Sequence, residues 1–301
     1  MFTKEDINVR HAPVWVPVET SMHGEVDKVQ KDYVIRVPLR LWGAWTAADL
    51  TVLFPSAVLT PIQGTRLYGT SDLPLVIHGS NQDRTTYHNA QLTKLSNLFL
   101  GVNAPLFAAD VEFTCLLKNN TAPTDAAAYY THDTTAYADT TFAKTNFRQQ
   151  AYACTWGAVT GFVGFQAKLG WNVEWTLDLE PEIVDGVGTV DMILQNFLGR
   201  ARCIPLEPRM FVAGVPDTFP ISAAAKFQGA GGGLGHLLSA SVADLTITGT
   251  NVSVVLKNAG MTELGYAWGM KPLRNGELAW ETTTAFTTGV AAARAVITAP
   301  A

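Results

Sequence analysis

Leu75-Val76-Ile77-His78-Gly79-Ser80-Asn81 and Leu245-Thr246-Ile247-Thr248-Gly249-Thr250-Asn251 spell one pattern twice, alternating apolar residues and then three turn formers. A second shared stretch follows each: Asn89-Ala90-Gln91-Leu92-Thr93-Lys94-Leu95 in the first case, Asn258-Ala259-Gly260-Met261-Thr262-Glu263-Leu264 in the second. Asn81 and Asn251 stand 170 positions apart, Asn89 and Asn258 stand 169 apart. Either match alone is short enough to arise by chance. Two in one order and nearly one register point to internal duplication.

Alternation places Leu75 with Ile77, and Leu245 with Ile247, on one face of a strand. Gly, Ser, Thr and Asn then reverse the chain. A second strand is expected over Arg84–Asn89 and over Val252–Asn258, where Val252, Val254 and Leu256 alternate. Each unit therefore reads as a β-hairpin leading into a third strand. It builds sheet and carries no chemistry of its own.

The replay extends upstream. Trp171-Asn172-Val173-Glu174 matches Ile7-Asn8-Val9-Arg10, and Gly188-Thr189-Val190-Asp191 matches Gly24-Glu25-Val26-Asp27, both at an offset of 164. Ile204-Pro205-Leu206 aligns with Val37-Pro38-Leu39 at 167, and offsets that climb are what short loop insertions produce. Val14, Val16 and Val18 recur in period two beside Pro13 and Pro17, as in an edge or docking strand. Tyr33, Ile35, Val37 and Leu39 share one side of the next strand. Thr46-Ala47-Ala48-Asp49 resembles a capping box, with Leu50, Leu53 and Phe54 at helical spacing and Pro55 as a stop. These residues predict a short helix over 47–54. Pro208 opens a comparable run, Arg209–Ala213, in the second unit.

Two segments fall outside the repeated pattern. Residues 117–170 are rich in Thr, Ala and Asn, with Thr124 placed to cap a brief helix through Tyr130 and a strand expected at Gln150–Trp156. Residues 286–301 end in a stretch, Val290–Ala301, whose only charged side chain is Arg294. A long insert and an apolar tail are both expected to contact neighbouring subunits. The expected division is a first β unit over 1–116, a connecting segment over 117–170, a second β unit over 171–285 and a C-terminal arm over 286–301.

At 301 residues the chain can bury two cores. It is 48% hydrophobic but only 16% charged, against about 25% for ordinary soluble domains, so much of its surface is expected to be covered by neighbours. Two well-filled β cores are the plainer explanation. No apolar run approaches the roughly 18 residues of a membrane helix, and Met1–Asp6 shows no signal-peptide core. The net charge of −5 and scattered Lys and Arg exclude the basic stripe of a nucleic-acid reader. Cys115, Cys154 and Cys203 are odd in number and lack CxxC spacing, which suggests buried, reduced thiols in a protein made in the cytoplasm.

Known catalytic patterns do not fit. Gly229-Ala230-Gly231-Gly232-Gly233-Leu234-Gly235 lacks the Lys-Ser/Thr of a phosphate loop and the spacing of a dinucleotide fingerprint. Asp178, Glu180, Glu182 and Asp185 suggest calcium, but Pro181 and a missing loop glycine break the pattern. The first three read instead as the solvated face of a strand whose other face is Leu177, Leu179 and Ile183. His11, His23, His78, His88, His132 and His236 show no metal spacing, and no nucleophile elbow occurs. Glu112 and Glu281, a conceivable glycosidase pair, are expected at corresponding positions of the two units, which favours a shared structural role. The eight tryptophans either line a sugar groove or anchor cores and interfaces, and their placement in alternating segments favours anchoring. No catalytic, cofactor-binding or metal-binding residue is assigned, and no cofactor is expected.

The segments Asp72–Gly79, Asn89–Lys94, Val111-Glu112-Phe113-Thr114-Cys115, Lys118–Ala122 and Gly188–Asp191 together resemble the tail tube proteins of tailed bacteriophages, over about residues 5–285. The resemblance implies a mainly β fold of two tandem antiparallel β-sandwich or barrel units, each with one short flanking α-helix. It further implies a structural virion protein, not an enzyme, whose rings stack into a hollow tube. Two units per chain imply three chains in a pseudo-sixfold ring. DNA would pass without specific binding, since an acidic subunit repels phosphates. The implied partners are other copies of the chain and tape-measure, terminator and distal tail proteins, with no membrane. Alternatives are a single-ring terminator or connector and a two-domain carbohydrate-binding module.

Overall fold

The computed structural model describes residues 7–43, 64–68, 73–79, 83–100, 107–118, 128–135, 152–156, 165–205, 243–249, 253–267, 274–282 and 295–298. Fourteen strands occupy most of them: β1 (Arg10–Thr20), β2 (Gly24–Gly43), β3 (Leu75–His78), β4 (Arg84–Tyr87), β5 (Ala90–Leu100), β6 (Phe107–Cys115), β7 (Tyr130–Asp133), β8 (Ala153–Trp156), β9 (Phe165–Val184), β10 (Gly188–Pro205), β11 (Ala243–Thr248), β12 (Ser253–Ala267), β13 (Arg274–Thr282) and β14 (Ala295–Thr298). The fold is mainly β, and no α-helix occurs among the described residues. The helices expected over 47–54 and 209–213, the one capped by Thr124 and the glycine run 229–235 lie outside those residues.

One large antiparallel sheet runs β1-β2-β6-β5-β9-β10-β13-β12-β11-β8, with β14 added beside β12. Because β8 also pairs with β9, six of these strands (β9, β10, β13, β12, β11 and β8) close on themselves. A small sheet, β3-β4-β7, stands apart. β1, with Pro13 and Pro17, ends the large sheet, where missing N–H donors are tolerated.

The strand registers repeat. In the β1–β2 hairpin Thr20 lies opposite Gly24, Val18 opposite Asp27, Val14 opposite Asp32 and Arg10 opposite Arg36. In β9–β10 the corresponding pairs are Val184–Gly188, Glu182–Asp191, Asp178–Asn196 and Glu174–Arg200, each displaced by 164 positions. Both irregularities of the first hairpin recur at the same offset in the second. β3–β4 pairs Leu75 with Tyr87 and His78 with Arg84, as β11–β12 pairs Leu245 with Leu256 and Thr248 with Ser253.

Three alignments differ from the sequence reading. The offset of 164 persists along β2 and β10, so Pro38 corresponds to Arg202 and not to Pro205. Glu112 and Glu281 do not correspond: Arg36 faces Thr114 as Arg200 faces Glu281. Segments read as lying outside the units contribute equivalent strands, since β7 pairs with β4 in the register that β14 adopts on β12. A four-residue strand carries too little pattern to align by sequence.

Asn89 and Asn258, shared by the two sequence matches, are the positive-φ residues other than glycine among the described residues, at 45° and 47°. Asn tolerates this left-handed conformation better than other non-glycine residues. Each marks the bend after the outer hairpin, and Asn89 Nδ2 also donates to the Leu117 carbonyl at 3.1 Å. The core is continuous across the halves. Trp156, Trp171, Trp175 and Trp280 are fully buried with Ile35, Leu95, Leu98 and Leu116. Trp156 meets Trp280 edge-on at 6.1 Å, and its Nε1 donates to the Ala259 carbonyl at 2.9 Å.

The three cysteines are free thiols and buried. Burial pushes the Cys115 thiol up to about 12 and raises Cys154 and Cys203 well above the ordinary range. At pH 8 a thiol reagent should leave the folded protein unlabelled and modify all three cysteines after denaturation. Asn258→Ala should lower stability by about 1 kcal/mol, and Asn258→Gly by less, when both are compared by denaturant titration.

Candidate functional site

The chemistry-bearing side chains are dispersed. Among the described residues no group of three or more His, Cys, Asp or Glu is placed to hold a metal ion. His11 hydrogen-bonds the Tyr33 hydroxyl and His132 the Thr85 hydroxyl, while His88 is buried. Asp178 and Glu180 are exposed on β9, and Glu182 pairs with Arg66, in keeping with a solvated strand face. Glu281 accepts from Arg200 Nε at 2.6 Å. Trp156, Trp171, Trp175 and Trp280 are buried in the core, whereas Trp15 on β1 is exposed. What the fold does concentrate is contact between its own halves.

Three contacts make that seam. The first is a strand ladder: Lys94 of β5 faces Thr176 of β9, Leu95 faces Trp175, and Leu98 faces Val173. The second is the strip Gly64–Tyr68 laid along β10. Leu67 N donates to the Met192 carbonyl at 3.0 Å and Leu194 N to the Thr65 carbonyl at 2.9 Å. Tyr68 N donates to Asp191 Oδ1 at 3.0 Å, and the Tyr68 hydroxyl, whose acidity is lowered by burial, donates to the Thr114 carbonyl at 2.8 Å. The third is a buried clasp at the turn of the second hairpin. Asp32 Oδ1 accepts from Thr189 N at 2.7 Å and Oδ2 from Thr189 Oγ1 at 2.6 Å.

Each contact runs from the N-terminal half to the C-terminal half, and each has a counterpart that is open among the described residues. The position matching β5 is the end of β12, which pairs with β13 alone over Glu263–Ala267 among the described residues. The position matching β9 is β1, which pairs with β2 alone among the described residues. Asp27 matches Asp191 and has the same local bond, Oδ1 accepting from Lys28 N at 2.7 Å as Asp191 Oδ1 accepts from Met192 N at 2.7 Å. Asp27 is nonetheless exposed, where Asp191 is 2% exposed. Val26 is 51% exposed and its counterpart Val190 is 9% exposed. Backbones of one register thus sit in opposite environments, because among the described residues only one of them has a neighbour.

The first hairpin carries the cost. Val14, Trp15, Val16, Val18, Met22, Val26 and Val29 are all exposed along it. A projecting apolar hairpin with an open margin is a surface suited to another chain. The sequence marked β1 as an edge or docking strand. It did not mark Asp32, Thr189 or Gly64–Tyr68, whose partners lie more than a hundred residues away and leave no periodic signal.

The chain matches no protein-family model, and no curated protein matches it in sequence. The seam itself is testable. Asp32→Ala strands the Thr189 amide and hydroxyl without an acceptor and should cost about 1–3 kcal/mol by urea unfolding. Asp32→Asn keeps Oδ1 and should cost less.

Proposed function

We propose that this protein is a structural virion component, the subunit of a phage tail tube. It is built from two copies of one β unit, and three chains close a pseudo-sixfold ring that stacks into a conduit for DNA. The observation that carries the reading is the pair of open margins. β5 and β9 join the halves; of their register equivalents, β1 ends the large sheet, and β12 pairs with β13 alone over Glu263–Ala267 among the described residues.

The pairing that adds the second half to the first would add a neighbouring chain to the second. Glu263 would then face Ala12 and Leu264 would face His11, the equivalents of Lys94–Thr176 and Leu95–Trp175. Such a head-to-tail contact uses two different surfaces, so it repeats until the rotation closes. The paired part of β1 ends before Pro13, so the prolines do not interrupt the ladder. Closure also covers margins that would otherwise recruit strands indiscriminately. The net charge of −5 suits a channel that must not hold DNA.

Electron microscopy of the purified protein should show threefold rings with a central pore, stacking into tubes. Rings that never stack would move the chain to a terminator or connector. A protein that stays monomeric at high concentration would overturn the reading.

A further inference from the structure

The clasp at Asp32 has an open counterpart that differs from it in chemistry. Asp32 matches Asn196, and Thr189 matches Glu25, in the repeated hairpin register. In the closed clasp an acceptor carboxylate receives a donor hydroxyl. In the open pair the roles are exchanged: Asn196 offers an amide donor and Glu25 a carboxylate acceptor. Either pair is complementary within itself, whereas mixing them sets Asp32 against Glu25, two carboxylates.

We infer that Asn196 of one chain clasps the Gly24–Glu25 turn of the next. This rests on the ring reading above and names the contact that selects the neighbour. Asn196 Oδ1 already accepts from Phe197 N at 2.9 Å, as Asp32 Oδ1 accepts from Tyr33 N at 2.8 Å, so both side chains are held in the same attitude. By analogy with Thr189, the Glu25 amide donates to Asn196 Oδ1 and the Asn196 Nδ2 donates to the Glu25 carboxylate.

The space is present. A Cβ at Gly188 would lie 3.1 Å from Asp32 Oδ1, whereas a Cβ at Gly24 would meet nothing within 4 Å. Thr189 is 1% exposed and Asp32 8%, while Glu25 and Asn196 are both exposed. In the single chain Glu25 pairs with Lys28 at 3.4 Å, an exposed ion pair of little strength. The open Asp27 socket and the open β1 margin lie on the same hairpin. The step that seats Gly24–Glu25 on Asn196 therefore brings all three open counterparts together.

The clasp also keeps the halves in alternating order. If the first half of one chain met the first half of another, Glu25 would face Asp32, and like charges at close range are unfavourable.

Asn196→Asp, Glu25→Gln and the double variant test the clasp, with sedimentation velocity to measure self-association and microscopy to record rings. Both sites are exposed in the single chain, so all three proteins should unfold thermally like the wild type. Asn196→Asp should weaken association about tenfold, and adding Glu25→Gln should recover most of the loss by reversing donor and acceptor. Rings that form equally well in every variant would overturn the clasp and leave the tube reading standing. Loss in Asn196→Asp with recovery in the double variant, in assemblies that do not close into rings, would uphold the clasp and sink the tube. A wild-type protein that never associates would overturn both.

Discussion

Lys94 to Leu100 of β5 lie against Trp171 to Thr176 of β9, and through this short ladder two sets of strands become one sheet. Backbone N–H and C=O groups at a strand margin must be paired or solvated, so a sheet ends only where its margin can face water. β5 and β9 do not end. Their side chains go into the shared core, with Leu95, Leu98, Trp171, Val173 and Trp175 each at 1% exposure or less. The seam is therefore hydrogen-bonded along its backbone and dry on one face, the combination that fixes strand register most firmly.

The same backbone elsewhere in the chain lacks that protection. β1 follows the register of β9, but Ile7 and Val9 are only partly buried where Trp171 and Val173 are fully so. Matching positions in the second hairpin are covered by Gly64–Tyr68 and by Asp32, and the first hairpin has no such cover among the described residues. The hairpin exposes Val14, Trp15, Val16 and Val18 together, a patch that the proposed ring would cover.

Much of this was written in local pattern. Gly24-Glu25-Val26-Asp27 and Gly188-Thr189-Val190-Asp191 were visible as a pair because a tight turn needs glycine, and Gly24 and Gly188 have φ of 67° and 96°. The Asn-Ala match was visible because a left-handed bend favours Asn. Buried thiols and the solvated acidic face of β9 followed from spacing and alternation. Long-range geometry was not legible. The strip at Gly64–Tyr68 has no period, and β7 and β14 are too short to show one. The alignments of Pro205 with Pro38 and of Glu281 with Glu112 failed because identity of residue type was followed where the ladder preserves spacing instead.

The two halves also differ in a way that bears on why one chain would hold both. At three matching positions the first hairpin has Val14, Val16 and Val18, and the second has Asp178, Glu180 and Glu182. A ring of six identical units must present one such surface six times. Two linked units would allow apolar and acidic stripes to alternate, and the proposed Asn196–Glu25 clasp would differ from Asp32–Thr189 in the same fashion. In a fused subunit the order of the halves would be fixed covalently, and only the junction between chains would have to be chosen. In the proposed ring the donor–acceptor exchange makes that choice, and the apolar stripe is left to a neighbour that meets every second unit.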